Sequence, residues 1–441
     1  MEQRRKNLTQ LFIPICLETL LYMLSGMVDT LMLSSVNDQA VGAVGTANTY
    51  IGIFIIMFSV ISSGMVAVMT QNIGAGRPGV AYQARQLGLV FNAALGVIMS
   101  LFLSLGAGTI LSGVGVADAL MQPAKTYLQI VGGFCILNAL IPICSSYLRA
   151  FGFSKEPLYA SIIGNVINFC LNAFFLFVLH KGVAGVATAT VISRIINLVI
   201  AVLLGAVLVK AKQHPERESN RAVMGQIIRI GLPSACETAI YNVSMTLVIR
   251  FLNQMDAQGL NVTARSYTMQ ITNFSYCVGA ALAQANAIMT GWHIGAKEYD
   301  ACDRGTKKAA VIGVIVAVIL ETVFTLCSGW IMQLFSKDPQ MVSLVGKLLA
   351  IDIVLEIGRV TNLVYGQALK TSGDAVFPVV MGACFMILCS VGGTYLFGIR
   401  LGLLAVGAYI GMTGDECVRA VGMYLRWKSG KWKEKGLVKS R

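Results

Sequence analysis

The chain has 441 residues, of which 56% are hydrophobic and 12% are charged, and its mean hydropathy is +0.71. Soluble globular domains carry charge on roughly a quarter of their residues, so this composition excludes that class and indicates a membrane protein. The formal net charge of +13 could point to a nucleic-acid partner. The positions of the basic residues follow membrane topology instead, so we expect no nucleic-acid partner.

Apolar stretches of roughly 20 residues recur along the whole chain, which is the length that a membrane-spanning helix needs. In lipid each stretch must satisfy its own backbone hydrogen bonds, and this favours helices over open sheets. The short alternating strands of a membrane β-barrel do not appear in the sequence. The sequence therefore predicts an all-α integral membrane protein with twelve transmembrane helices, at approximately residues 8–33, 45–70, 87–113, 126–148, 158–180, 183–209, 226–251, 266–291, 308–334, 343–369, 376–398 and 402–425.

The basic residues are distributed unequally between the two sides of these spans. One side holds 23 lysines and arginines, whereas the other holds six, namely Lys125, Lys181, Arg265, Lys337, Lys347 and Arg400. By the positive-inside rule this places both termini in the cytoplasm. The first apolar stretch continues past Pro14 and Glu18 without a small-residue cleavage site, so we interpret it as a retained span and not as a signal peptide.

The second half of the sequence repeats the first. Three residues of the first span recur in the seventh at an offset of 219, where Pro14, Glu18 and Tyr22 match Pro233, Glu237 and Tyr241. Further matches follow at offsets of 220 and 221, so the drift corresponds to one small insertion. We expect two pseudo-symmetric six-helix lobes, 1–209 and 226–425, joined by a cytoplasmic linker at 210–225 and followed by a basic cytoplasmic tail at 426–441. Parallel repeats of this kind place the substrate path near the membrane midplane.

Several motifs in a fixed order carry a family resemblance. The first span contains Pro14, Glu18 and the pair Asp29-Thr30, and Gly74-Ala-Gly-Arg77 follows the second span. Two related motifs follow the fourth span, at 148–152, and the tenth span, at 369–374. A further motif lies in the sixth span, at 185–193. Together with the repeat of six plus six spans, these motifs resemble the multidrug and toxic compound extrusion (MATE) family, bacterial type, over nearly the whole chain.

The resemblance implies a MATE/MOP-like fold and a function in transport. It implies an antiporter that exports lipophilic, often cationic drugs or toxic compounds in exchange for H⁺ or Na⁺ by alternating access. It also implies a monomer in a bacterial plasma (inner) membrane, in contact with lipid, without a cofactor and without a metal other than coupling Na⁺. A flippase of a lipid-linked precursor from the same superfamily is the alternative. That activity predicts a cationic central cavity, whereas the intramembrane charges here lean acidic.

The resemblance also suggests a coupling-ion or proton site. Many relatives carry an Asn and, four residues later, an Asp on the fifth span, and these join the first-span Asp in a cation site. Here the corresponding residues are Asn168 and Asn172, so the site keeps Asp29 and loses the second acid. Thr190 is a further candidate ligand from the sixth span. The alternative is that the amides and the hydroxyl form ordinary hydrogen bonds between helices and that Asp29 is a polar residue near the outer surface.

Asp29 has no acidic counterpart in the repeat, because Val248 occupies the equivalent position at the 219 offset. An acid that is present in only one of two matching helices is poorly explained by shared packing. We therefore expect Asp29 to serve a task specific to the N-terminal lobe, and ion coupling is that task.

Other ionisable residues lie near the membrane centre, where an isolated charge costs roughly 2.5 to 3.5 kcal/mol, so each needs a partner, a water-filled cavity or a function. Glu18 and Glu237 either form functional sites or help to pack the helices of their lobes. We expect Arg194 to pair with Glu18 or to act in gating, and the spacings of Glu356 with Arg359 and of Asp415 with Arg419 predict local ion pairs. The candidate substrate-cavity and charge-network residues are Glu18, Tyr22, Arg194, Glu237, Tyr241, Glu356, Arg359, Asp415, Glu416 and Arg419.

Other functional classes fit the sequence less well. A membrane-embedded enzyme needs an Asp-rich metal motif or a nucleophile with a His partner, and neither is visible, so we expect no catalytic residues. The loop after the second span lacks the Asp-Arg-x-Gly-Arg pattern of the major facilitator class. A channel is disfavoured because no filter sequence appears.

Overall fold

The computed structural model describes residues 6–35, 38–113, 116, 118–210, 214–256, 259–333 and 335–438. Within these ranges the regular secondary structure is helical and no strand occurs. The chain divides into two compact units, Met1–Leu232 and Pro233–Arg441. The division therefore falls C-terminal to the predicted linker, at a proline inside a long helix.

In its described residues the first unit contains seven α-helices and the beginning of an eighth. The segment between α4 and α5 is a π-helical turn, Leu128–Gly132, followed by a bend of 43°, so this pair forms one bent span. Another π-helical turn, Phe174–Val178, extends α6. The helices are α1 (Leu8–Ser34), α2 (Asp38–Gly74), α3 (Pro78–Gly113), α4 (Asp118–Tyr127), α5 (Ile136–Ala150), α6 (Lys155–Ala173), α7 (Gly182–Leu208) and α8 (Asn220–Met255).

The second unit follows from Pro233 of α8. Two π-helical segments, Met386–Val391 and Thr394–Arg400, continue α13 toward the next helix. The remaining helices are α9 (Leu260–Gly295), α10 (Tyr299–Leu326), the short α11 (Ser328–Met332), α12 (Pro339–Ser372), α13 (Val376–Phe385) and α14 (Leu404–Lys428). A short 3₁₀ helix, Lys431–Glu434, closes the described part of the chain.

The long helices differ in polarity. Among the described residues, seven helices are long and apolar enough to cross a membrane, and the bent α4–α5 pair makes eight. Six of these eight spans lie in the first half of the chain, and the other two are α10 and the extended α13. The others, α8, α9, α12 and α14, are equally long but more polar, so their polar faces must turn inward in lipid.

Each unit has its own apolar core. In the first unit, Leu33 and Phe58 pack with Leu103, Tyr127 and other side chains from α1 to α7. In the second unit, the core contains Val248, the repeat equivalent of Asp29, together with residues of α9, α12 and α14. The two units therefore place different side chains at this equivalent position, a half-buried acid in the first and a fully buried valine in the second.

Glycines set the position of α14 in the second unit. A Cβ atom at Gly411 would lie 2.9 Å from the carbonyl oxygen of Cys389, so only glycine permits this close approach of the two backbones. Because Asp415 follows Gly411 by about one helical turn, this contact places its carboxylate opposite Ser390, whose hydroxyl donates to Asp415 Oδ2 over 3.0 Å.

The described part of the predicted linker folds against the first unit. Arg77 at the α2–α3 turn forms an ion pair of 2.6 Å with Glu218. Arg217 donates to the carbonyl oxygen of Gly79 over 2.6 Å, and Gln83 donates to the carbonyl oxygen of Glu218 over 2.7 Å. Residues 211–213 of the linker lie outside the described part of the chain.

Candidate ion and substrate sites

Asp29 and the two asparagines that the sequence singles out meet between α1 and α6. Asn172 Nδ2 donates to Asp29 Oδ1 over 2.7 Å and lies 3.2 Å from Asn168 Oδ1. Asn168 and Asn172 are one helical turn apart, so they face the same way, and both are buried whereas Asp29 is half-buried. The site thus gathers one carboxylate and two amides, which are oxygen donors suited to a proton or a hard cation.

The two α7 candidates lie in different surroundings. Thr190 is buried, and its hydroxyl donates to the carbonyl oxygen of Val186 over 2.9 Å, which leaves the hydroxyl oxygen free to accept or ligate. Among the described residues no hydrogen bond joins it to Asp29. Arg194 donates to Asn138 Oδ1 over 2.8 Å and is close enough to interact electrostatically with Asp29.

The expected ion pair between Glu18 and Arg194 is wrong. Glu18 pairs with Arg149, at 2.5 Å, because α5 brings its last turn to the same depth as this part of α1. In the second unit, Glu237 pairs with Lys370, also at 2.5 Å. The two pairs join equivalent positions of the repeat, and this geometry favours the packing interpretation of both glutamates.

The two tyrosines of the repeat have different environments. Tyr22 on α1 is 67% exposed. Tyr241 on α8 lines an internal cavity of the second unit. The sequence equivalence of these residues therefore does not give them equivalent surroundings.

Three acids and two arginines of the second unit form one network. Arg419 pairs with Asp415 at 2.8 Å and with Glu416 at 2.8 Å. Arg359 pairs with Glu356 and approaches Glu416 at 3.8 Å. The predicted local pairings of Glu356 with Arg359 and of Asp415 with Arg419 are confirmed.

This network borders the cavity, whose volume is about 210 Å³. The cavity wall combines charged, aromatic and thioether side chains, which are the surfaces that accept cations and varied apolar groups. Its lining includes Tyr241, Met245, Arg265, Met269, Tyr276, Asp352, Arg359, Tyr409, Met412, Asp415 and Glu416.

Sequence reasoning missed the place of three residues in this region. Arg265 was expected in an outer loop, but α9 begins at Leu260, so Arg265 lies within the helix and is only 6% exposed. Asp352 lies on the same face of α12 as Glu356, four residues earlier, and that spacing could have revealed it. Glu321 on α10 is fully buried, and no sequence pattern links it to α12.

Comparison with a family model identifies the family to which the chain belongs. The MatE model matches residues 14–174 and 233–396, and these stretches begin at Pro14 and Pro233, the residues that open the internal repeat. The chain belongs to the MatE family. The predicted resemblance is therefore confirmed, and it extends over most of the chain.

Relatives within the MatE family cover almost the full length of the chain. An uncharacterized transporter, YisQ of Bacillus subtilis, is 34% identical over 96% of this chain and 94% of its own length. A Thermotoga maritima relative named "Probable multidrug resistance protein NorM" is 23% identical over 98% of this chain and 94% of its own length. The relatives are transporters, which supports a transport role.

Solved structures of MatE-type transporters share the fold. The structure described as the outward-facing conformation of a multidrug resistance MATE family transporter of the MOP superfamily has a TM-score of 0.87 at 19% identity and covers 98% of this chain and 96% of that chain. The prediction of an all-α membrane protein with twelve long helices in a MATE/MOP-like fold is confirmed. The chain is thus a multi-pass membrane transporter.

Proposed function

We propose that this protein is an ion-coupled antiporter that exports lipophilic, often cationic compounds in exchange for H⁺ or Na⁺ by alternating access. In this proposal the six-helix lobes are 1–209 and 226–425, and the protein acts as a monomer in a bacterial plasma membrane with both termini in the cytoplasm. The observation that carries the proposal is the Asp29 carboxylate held by Asn172, beside Asn168. The multidrug-resistance names of several relatives agree with this function.

The Asp29 site suits a coupling role because its charge can be neutralised in two ways. A proton on the carboxylate removes the charge, and a Na⁺ ion beside the carboxylate and the amide oxygen of Asn168 balances it. Either event weakens the hydrogen bond that Asn172 donates to Asp29, since the free ionised carboxylate is the stronger acceptor. An ion that binds one arrangement of α1 and α6 more tightly shifts the population toward that arrangement.

The cavity of the second unit supplies surfaces for a lipophilic cation. Met245, Met269 and Met412 are flexible and polarisable, which allows them to fit compounds of different shapes. Tyr241 and Tyr276 present aromatic faces that attract cations. Asp352 adds negative charge to the same wall.

The test is ethidium efflux from bacterial cells that lack their own drug exporters. Cells that produce this protein should retain less ethidium than cells with an empty vector, and collapse of the ion gradients should remove the difference. Equal retention in the two strains, with the protein present in the membrane, would contradict the proposal.

A further inference from the structure

The chain turns back on itself at the end of α14. Gly430 has a φ of +71°, a left-handed conformation that costs glycine little, and the 3₁₀ helix Lys431–Glu434 follows at once. Trp432 of this helix stacks on Trp427 in the last turn of α14, with ring centroids 4.2 Å apart and an angle of 9° between the planes. Trp432 Nε1 donates to the carbonyl oxygen of Trp427 over 2.9 Å. Residues 429–438 are referred to below as the C-terminal strap.

The strap is packed as tightly as the core although it lies beyond α14. Trp427 and Trp432 are each 1% exposed, and Leu437 is 7% exposed. Lys431 and Lys433, which flank Trp432, are exposed, so the strap has an apolar face against the second unit and a charged face outward. Burial of a tryptophan removes a large apolar area from water, so docking of the strap is strongly favoured.

The strap and the end of α14 also contact the first turns of α10. Trp432 lies against Tyr299, with ring centroids 5.9 Å apart. Trp427 Nε1 donates to Asp303 Oδ1 over 2.9 Å, and the other oxygen of Asp303 pairs with Lys307 at 2.7 Å. Both indole N–H groups therefore have acceptors, as buried donors require.

The strap also contacts the turn between α12 and α13. Gly373 follows α12 with a φ of +100°, and a Cβ atom there would collide with the carbonyl oxygen of Lys435. Only glycine therefore admits the strap at this point. Beside it, Arg426 of α14 pairs with Asp374 at 2.7 Å and lies over the Phe377 ring at 5.0 Å. The strap and this ion pair together connect the end of α12 to the end of α14.

The first unit covers the equivalent place with the linker. Pro78 and Tyr299, which begin α3 and α10, are equivalent at the 221 offset. A Cβ atom at Gly79 would lie 2.5 Å from the carbonyl oxygen of Glu216, and Arg217 donates to the carbonyl oxygen of Gly79. The segments that follow α7 and α14 thus dock at the same corner of their units with unrelated side chains, so the position of the contact is repeated and its sequence is not.

The two helices that the strap connects are walls of the cavity. Asp352 of α12 and both Met412 and Glu416 of α14 belong to its lining. At this level the two backbones are in contact, since a Cβ atom at Gly358 would lie 2.9 Å from the backbone nitrogen of Cys417. The strap begins about 13 residues beyond Glu416, roughly 20 Å farther along the helix at about 1.5 Å per residue. A route from the cavity toward this end must separate α12 from α14, and the strap opposes that separation.

We propose that the C-terminal strap keeps the adjoining ends of α12 and α14 together, and that the cavity opens toward this end of the second unit only when the strap is released. Docking and opening are then one equilibrium, because the strap cannot keep its contacts with both helices when they separate. A weaker strap favours the open arrangement. The importance of this step for export rests on the proposed function, but the equilibrium is measured without transport.

The experiment is hydrogen exchange of the purified full-length protein in lipid nanodiscs, measured on its peptides by mass spectrometry. Gly373→Ala introduces the colliding Cβ atom, and Trp432→Ala removes the stacked ring. Gly402→Ala is the matched control, because Gly402 also has a positive φ, +69°, but nothing lies within 4 Å of its Cβ position. Exchange is followed in the strap, at 366–373 of α12 and at 420–428 of α14.

We expect the strap to be protected from exchange in the unchanged protein and in Gly402→Ala. Gly373→Ala and Trp432→Ala should accelerate exchange by roughly tenfold or more, in the strap and equally in the two helix ends, since each removes a contact that holds the strap in place. Residues 345–352, in the other half of α12, should keep their protection, which distinguishes release of the strap from unfolding.

Acceleration confined to the strap would overturn the proposal, because the strap would then pack on the helices without holding them together. Rapid exchange of the strap in the unchanged protein would also overturn it, as would the same acceleration in Gly402→Ala. If one variant loses protection at 345–352 as well, the other variant decides, and if both do, a protein that ends at Lys428 decides. Failure of export in cells would leave each of these outcomes unaffected.

Discussion

The two units start from the same repeated sequence and treat charge in opposite ways. In the first unit a half-buried acid, Asp29, is held by an amide, and all six spans are apolar. In the second unit Val248 takes the equivalent position in the core, and the acids gather around Arg359 and Arg419. Four of its six spans are correspondingly more polar.

A repeated fold thus fixes helix positions but allows the two units to differ in their electrostatics. The carboxylate of Asp29 has a neutral hydrogen-bond partner in Asn172, and among the described residues Arg194 interacts with it only at a distance, so one proton or ion changes its electrostatic balance strongly. A network of several acids and arginines is held by many mutual contacts, so removing one member exposes the rest.

The largest effect is expected for Asp29→Asn. The amide cannot ionise, so gradient-driven export should be abolished although the side-chain shape is kept. Export of ethidium from cells is the measurement, at matched amounts of protein in the membrane. Asp118→Asn, an exposed acid in the first turn of α4, is the control and should export normally. Normal export by Asp29→Asn would show that Asp29 is a structural polar residue.

The next effect is expected for Arg419→Gln. Removal of this arginine leaves Asp415 buried without its ion-pair partner and Glu416 with Arg359 alone, 3.8 Å away, and breaking a buried pair typically costs about 3 to 5 kcal/mol. Arg194→Gln in the first unit should cost less, because Arg194 donates to a neutral asparagine. The free energy of unfolding in a detergent titration measures both. Equal losses would mean that the two units do not differ in the way described.

The repeat-related ion pairs should give similar effects in the two units. Glu18→Gln and Glu237→Gln should each lower the free energy of unfolding by about 1.5 to 3 kcal/mol, the range for hydrogen bonds to charged groups. The double variant Glu18→Arg with Arg149→Glu should recover part of the loss. A loss in one unit only would argue against a shared packing role.

The smallest effect is expected at the N-terminal end of α9. Burial by itself opposes ionisation of Asp256, but hydrogen bonds from Asn261 and the backbone of Leu260 lower its pKa. Asp256→Ala should destabilise the protein by about 1 kcal/mol, as loss of a helix cap does. Because the folded pKa is lowered, this stabilisation is present above the ordinary carboxyl pKa and disappears as the pH falls through the lowered value. Thermal unfolding at neutral and acidic pH measures the difference, and a constant difference would contradict it.

Much of the fold could be predicted from the sequence, because apolar length and charge asymmetry are direct consequences of the bilayer. Asp29, Asn168 and Asn172 were also predictable, since motif order carries them together. The partner of Glu18 was not predictable, because the depth of a residue in the membrane does not determine which neighbouring helix its side chain faces. Arg265 and the contact of Glu321 with α12 depend likewise on where helices begin and how they pack, which periodicity alone does not determine.

The most direct test of ion-coupled export is ethidium transport by the purified protein in liposomes under an imposed pH gradient and, separately, an imposed Na⁺ gradient. We expect at least one of these gradients to drive ethidium transport well above the rate in protein-free liposomes, and the Asp29→Asn protein to lose this acceleration. Transport no faster than in protein-free liposomes under both gradients would contradict the account.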